Sequence, residues 1–146
     1  SLNYNKKIIL RSPNATRPWQ HVLEPLSGYL SLGQKIMDRE LKSNLYPSWN
    51  FGPYKKNCKK VISMVNLLCK GWQGHKVKIV VNKNKKFHES KLLSLNINKA
   101  KNELGWRPRL TLDETVNFTI DWYKTFFSDG DVEDITDYQI EYFKEK

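Results

Sequence analysis

Apolar positions along the chain alternate between short extended runs and longer helical stripes. Lys7-Ile8-Ile9-Leu10-Arg11 is a β-type run closed by the turn cluster Ser12-Pro13-Asn14. From Val22 to Leu41, Val22, Leu26, Tyr29, Leu30, Gly33, Ile36, Met37 and Leu41 recur at steps of three and four, which predicts one face of a long helix. Pro25 falls in its first turn, where a missing N–H costs little. Trp49-Asn50-Phe51-Gly52-Pro53 reads as a brief buried strand. Asn57 is placed to cap a second helix whose inward stripe is Val61, Met64, Val65, Leu68 and Trp72, ending near Gly71 or Gly74.

Further on, Val77 to Val81 predicts a strand with Lys78 pointing outward, residues 82–91 a polar loop and Leu92 to Leu95 a short strand. Asn98 is positioned to cap a helix ending at Gly105, a residue suited to the left-handed conformation that closes helices. Thr111-Leu112-Asp113-Glu114 has capping-box spacing ahead of Val116, Ile120, Tyr123 and Phe127. Thr136 and Gln139 repeat that spacing before Ile140 and Phe143, predicting a short C-terminal helix. Strands alternating with helices make the expected class mixed α and β.

At 146 residues, 39% hydrophobic and 12% aromatic, the chain has enough large apolar surface for one ordinary core. No run of about 18 apolar residues is present, so no membrane-spanning helix is expected, and no signal-peptide pattern opens the chain. A cytoplasmic location is the expectation. Cys58 and Cys69 lack a second pair and read as reduced thiols, with no metal site expected. The first residue is Ser and a strand-like run follows almost at once, as in a chain cut from a longer polypeptide.

The net charge of +10 is uneven: residues 1–128 carry 23 Lys+Arg against 8 Asp+Glu, whereas 129–146 carry 2 against 7. This divides the chain into a basic body, 1–128, and an acidic tail, 129–146. A basic body suits phosphate-bearing ligands, anionic surfaces or nucleic acid. No helix-turn-helix, zinc-finger or aromatic RNA-binding signature accompanies it, which makes nucleic acid the lesser alternative.

The densest chemistry is Arg17-Pro18-Trp19-Gln20-His21, read as a loop leading into the first long helix. A guanidinium offers a planar fork for two phosphate oxygens, and a helix N-terminus beside it adds partial positive charge. The competing reading has Trp19 in the core, His21 packed or capping, and Arg17 solvated. His88-Glu89 is a second pair in a polar loop, where a carboxylate could accept from ribose hydroxyls and an imidazole could donate to phosphate. His75 has no evident partner.

The run from Arg11 to Leu30, with Arg-Pro-Trp-Gln-His-Val-Leu-Glu-Pro-Leu at its centre, resembles the corresponding segment of CDP-glucose 4,6-dehydratases nearly letter for letter. Matches continue through Trp49 to Pro53, His88-Glu89, Leu95 to Ala100, Leu104-Gly105-Trp106-Arg107-Pro108, Trp122-Tyr123, and Thr136 with Gln139 to Glu141. Leu-Gly-Trp-x-Pro is shared by many extended short-chain dehydrogenase/reductases. In that family's Leu-Asp-x-Ser-Lys-Ala run, Asn96 and Asn98 stand where Asp and Ser are expected.

The resemblance implies the C-terminal, substrate-binding portion of an extended short-chain dehydrogenase/reductase. The family uses NAD to oxidise the hexose of CDP-glucose at C4, eliminates water across C5 and C6, and returns the hydride to C6. It implies contact of Arg17 with the nucleotide diphosphate and of the His88-Glu89 loop with the nucleotide, with His21 and Asn50 as further substrate-binding positions. The dinucleotide turn Gly-x-Gly-x-x-Gly is absent, and Tyr142 to Lys146 is the one formal Tyr-x-x-x-Lys match, rejected because it lies in the acidic tail. The chain is therefore expected to lack catalytic and cofactor-binding residues, with NAD belonging to the complete enzyme and a separate NAD-binding half as a partner. Self-association through uncovered apolar surface is also expected, and a remnant without function is the remaining alternative.

Overall fold

The computed structural model describes residues 2, 6–38, 48–72, 77–82 and 90–146. The predicted mixture of α and β is what it shows. β1 (Ile8–Leu10) and β4 (Ile79–Val81) pair in parallel, Ile8 opposite Ile79; β2 (Thr16–Pro18) and β3 (Cys58–Lys60) pair antiparallel, Thr16 opposite Lys60. The helices are α1 (Leu23–Met37), α2 (Val61–Trp72), α3 (Leu112–Phe127) and α4 (Val132–Lys144). Among the described residues no helix is long and apolar enough to cross a membrane. Cys58 and Cys69 are both free thiols.

Three packed clusters hold these elements. Phe51, Ile97, Ala100, Leu104 and Trp106 form one, with Leu32 of α1 against it. Met64, Val116 and Ile120 join α2 to α3, and Leu110, Phe118 and Phe143 join α3 to α4. Gln139 of α4 donates from its side chain to the Phe118 carbonyl at 2.8 Å, so the acidic segment is pinned to α3 by a buried hydrogen bond as well as by Phe143.

Several local expectations hold. The capping box at α3 is complete: Glu114 N–H donates to Thr111 Oγ1 at 3.2 Å, and Thr111 N–H donates to Glu114 Oε2 at 2.7 Å. Gly105 closes the turn Ala100–Leu104 with φ 71°. That turn is wound wider than an α-helix, as a π-helix.

Other expectations give way to tertiary structure. Arg17-Pro18 lies in β2 rather than in a loop. Trp49 to Pro53 forms no strand; Phe51 is buried, edge-on to Trp106. Asn57 ends a short 3-10 turn, Lys55–Asn57, and β3 intervenes before α2, so it does not cap that helix. Leu92 makes only an isolated bridge to Thr16 and Leu93 is exposed, in place of a strand over Leu92 to Leu95. Asp131, not Thr136, caps the last helix, accepting from Glu133 N–H at 2.9 Å and from Asp134 N–H at 3.2 Å. Thr136 lies inside that helix, bonded back to the Val132 carbonyl at 2.6 Å.

The largest departure concerns α1. Its apolar stripe faces outward: Val22, Leu26, Tyr29, Leu30, Ile36 and Met37 are all exposed, Leu30 to 76% and Met37 to 83%. The side turned inward carries Glu24 and Gly28, the buried residues of this helix.

Candidate functional site

β2 and the segment after it bring most of the predicted site residues onto a common framework. Pairing with β3 fixes the strand backbone, and Trp19 Nε1 donates to the Lys59 carbonyl at 2.9 Å. On its other edge, Thr16 N–H donates to the Lys91 carbonyl at 2.9 Å and Leu93 N–H donates to the Thr16 carbonyl at 3.1 Å. Arg17, at the centre of β2, is half-buried. Its Nη1 donates to the Thr16 carbonyl at 2.9 Å and to the Ser90 carbonyl at 3.0 Å. Two main-chain acceptors on one nitrogen orient the guanidinium plane, which is what a bidentate oxyanion contact requires of an arginine.

Ser90 is the first described residue after Glu89 in the chain. His75, His88 and Glu89 themselves lie outside the described residues.

Asn50 is exposed, and its side-chain amide donates to the Asn96 carbonyl at 3.4 Å. Gln20 Nε2 donates to the Phe51 carbonyl at 3.1 Å, tying the end of β2 to Asn50's segment. Three stretches, 16–21, 50–53 and 90–96, are thereby held side by side by hydrogen bonds that no sequence spacing could reveal.

His21 is turned toward the helices. It is buried, its ring meets Phe118 edge-on at 5.6 Å, and its Nδ1 accepts from Leu23 N–H at 3.4 Å. Burial lowers its pKa, favouring a neutral ring with the proton on Nε2. With Gln20, Thr119, Trp122, Tyr123, Thr136 and Gln139 it lines a cleft of about 300 Å³ between the start of α1 and the pair α3 and α4. Gln20 Oε1 is buried there without a hydrogen-bond partner, the one such side-chain atom among the described residues.

Sequence reasoning missed Glu24. It is 1% exposed, and its carboxylate accepts from Arg109 N–H at 2.9 and 3.1 Å and from Leu110 N–H at 2.7 Å. Desolvation pushes its pKa up, against the pull of those N–H groups. Its signal in the sequence was its isolation: from Val22 to Gln34 it is the one charged residue, opposite the apolar stripe.

Asn96, whose role the sequence leaves open, has a plain one. Its Oδ1 accepts from Asn98 N–H at 2.9 Å at the start of the wide turn, the duty expected of Asn98 itself. An Asp there would serve equally, which accounts for either residue at this position.

Tyr142 and Lys146, the formal Tyr-x-x-x-Lys match, meet at Glu114. Tyr142 Oη donates to Glu114 Oε1 at 2.7 Å, Lys146 Nζ lies 2.7 Å from the same oxygen, and the ammonium stands 5.2 Å from the tyrosine ring centre. Both polar ends are directed at the cap of α3.

β1 leads into the turn at Ser12-Pro13 rather than into a helix, and no Gly-x-Gly occurs. Gly28, Gly52 and Gly71 are pressed against Phe51, Leu95 and Ile120, where they serve packing. Among the described residues no group of three His, Cys, Asp or Glu side chains is gathered as metal ligands.

No family model matches the chain. Over 132 residues, 90% of its length, it is 36% identical to a CDP-glucose 4,6-dehydratase of Salmonella typhimurium. The chain spans 36% of that relative's length. Two solved structures share the fold at 17% identity. One is a UDP-glucose 4-epimerase from Bifidobacterium longum in complex with NAD+ and UDP, with a TM-score of 0.64 over 82% of this chain and 35% of that one. The other is RMD from Pseudomonas aeruginosa complexed with NADPH, with a TM-score of 0.62 over 80% of this chain and 35% of that one. The resemblance read along the chain from Arg11 to Glu141 is matched by a similarity over 90% of its length.

Proposed function

We propose that this chain is the substrate-side, C-terminal portion of a CDP-glucose 4,6-dehydratase, and that it binds the nucleotide diphosphate of CDP-glucose. The observation that carries this reading is the 36% identity along 90% of the chain, within which Arg17 sits on an ordered strand with its guanidinium oriented by two carbonyls. In this proposal Arg17 neutralises diphosphate charge and His88-Glu89 contacts the nucleotide. Asn50 offers an exposed amide beside the same framework, and His21 borders the adjoining cleft.

NAD belongs to the complete enzyme. This chain's own residues bind and orient; they lack a dinucleotide turn and a Tyr-Lys pair able to move a proton, so the chain is catalytically silent until an NAD-binding portion completes it. Cytoplasmic location and a role in deoxysugar and surface-polysaccharide synthesis follow if that reading holds.

Calorimetric titration with CDP-glucose, and with UDP-glucose and NAD as controls, tests it. Saturable binding of CDP-glucose with no binding of NAD is expected, and Arg17→Ala should weaken it by about 1.5–3 kcal/mol, the scale of a charge-assisted hydrogen bond. Turnover of CDP-glucose by the chain alone would overturn the assignment of catalysis to another portion. Unchanged affinity in Arg17→Ala would remove Arg17 from the site.

A further inference from the structure

The cleft between the start of α1 and the pair α3 and α4 is walled by two helical faces and one turn. Thr119, Trp122 and Tyr123 are spaced three and four apart on α3, and Thr136 and Gln139 three apart on α4, so each set stands on one side of its helix. Gln20 to Leu23 close the third side. In a chain that is 27% charged, none of these lining residues is Asp, Glu, Lys or Arg.

The polar atoms of the cleft are few and fixed. His21, 8% exposed, accepts from Leu23 N–H on Nδ1, which puts the proton of the neutral ring on Nε2. Gln139, 4% exposed, spends its side-chain N–H on the Phe118 carbonyl and keeps Oε1. Neither His21 Nε2 nor Gln139 Oε1 has a partner among the described residues, and neither is sealed from solvent as Gln20 Oε1 is. Both therefore open onto the cleft that their residues line.

Thr119 Oγ1 commits its proton to the Thr115 carbonyl at 2.8 Å, so toward any other group it can only accept. Trp122 supplies a rigid wall: its Nε1 donates to Thr136 Oγ1 at 2.9 Å, and its ring stacks on Phe126 with centroids 5.6 Å apart. Side chains this buried, with hydrogen-bonding capacity left over, are uncommon in a packed interior and point to a ligand.

The occupant follows from size, charge and hydrogen-bonding sense. About 300 Å³ is the small end of the range for ligand pockets and admits one ring rather than a nucleotide. An ion would lose its hydration there without meeting a counter-charge. One fixed donor beside two acceptors calls for ligand groups that both donate and accept, as hydroxyls on neighbouring ring carbons do. The apolar face of such a ring lies against the aromatic wall. We propose that this cleft is a binding site for a neutral cyclic polyol, a sugar ring or cyclitol that carries no phosphate. Arg17 and Asn50 are not among its walls, so the site stands independently of the nucleotide-binding role proposed above.

Titration of the 146-residue chain with methyl α-glucoside and with myo-inositol, followed by NMR at the Trp122 indole and Gln139 amide signals, tests it. Saturable shifts at both signals are expected, with a dissociation constant on the order of 1 mM for a ligand of this size. Thr119→Val keeps the shape and removes an acceptor, and should weaken binding roughly five-fold, the effect of one neutral hydrogen bond. His21→Phe keeps a ring against Phe118 and should weaken it at least as much. Thr119→Val alters one half-buried hydroxyl, and an unchanged melting transition shows that the variant remains folded.

No saturable shift from either polyol, or binding indifferent to Thr119→Val, would overturn the proposal. So would a preference for glucose 6-phosphate over the glucoside, because an anion needs cations that these walls lack. CDP-glucose titration reads the nucleotide site separately. Displacement of the glucoside by CDP-glucose would overturn a free polyol as the occupant and give the cleft to the hexose of the nucleotide sugar. Polyol binding by a chain that binds no CDP-glucose keeps the cleft and removes the proposed function.

Discussion

Glu24 Oε1 lies 2.7 Å from the backbone nitrogen of Leu110, 86 residues further along the chain. With the two bonds from Arg109 N–H, this contact joins the first turn of α1 to the segment entering α3. Buried donors left without partners are costly, so the carboxylate acts as a structural clasp.

Replacing Glu24 with Gln keeps the volume but leaves one acceptor oxygen and sets an NH2 group against a backbone N–H. Urea unfolding should show a loss of about 1–3 kcal/mol. A loss below about 0.5 kcal/mol would mean that the clasp contributes little.

Gly28→Ala should destabilise the chain by about 1–3 kcal/mol, despite the better helix propensity of Ala, because the new methyl meets the Phe51 ring and that ring is itself lodged edge-on against Trp106 at 5.1 Å. Trimming the obstacle with Phe51→Leu in the Gly28→Ala background should recover part of the loss. Equal or greater instability in the double variant would place the cost elsewhere.

Acid should weaken the junction of α3 and α4. The hydrogen bond from Lys146, together with those from Thr111 and Tyr142, holds the Glu114 carboxyl down at about 2, from an ordinary value of 4.5. A carboxylate depressed on folding adds stability above its unfolded pKa and loses it as pH falls through the folded one, so this contribution should fade between about pH 4.5 and 2. Glu114 is partly solvated, and roughly 1 kcal/mol is expected after screening. Glu114→Gln should flatten that part of the stability profile; an unaltered profile would assign the acid sensitivity to other carboxylates.

Asn96→Ala should lower stability by about 1 kcal/mol through loss of the bond to Asn98 N–H, while Asn96→Asp should match the parent or exceed it slightly, since a negative charge at the start of a helical turn is favourable. Melting curves at neutral pH distinguish the pair. Similar losses in both variants would mean that the side-chain oxygen is not the operative feature.

Much of the local architecture was legible in residue order. Thr111 and Glu114 specify their own cap because both partners lie within one turn, and Gly105 ends its turn because left-handed backbone favours glycine. β1, β4 and the mixed α and β class follow from short β-branched runs between helical stripes, and the Arg17 to His21 cluster marked the part of the chain that the fold later frames. Caps that depend on competition between neighbours are less legible in residue order. Asn96 and Asp131 act where Asn98 and Thr136 were expected, since each pair offers two chemically adequate residues and geometry selects one.

What sequence order alone determined, then, is whatever closes within a few residues: helices, their tight caps, the turns between strands, and the wording that ties the chain to sugar-nucleotide dehydratases. Only the tertiary structure decided which side of α1 faces inward, that Glu24 clasps a segment 86 residues away, and that Arg17 is oriented by the carbonyl of Ser90. Periodicity reports that a helix has an apolar face but not what lies against it. In this chain the inward rotation is set by two backbone donors and one phenyl ring, contacts between distant residues whose geometry exists only after the chain has folded.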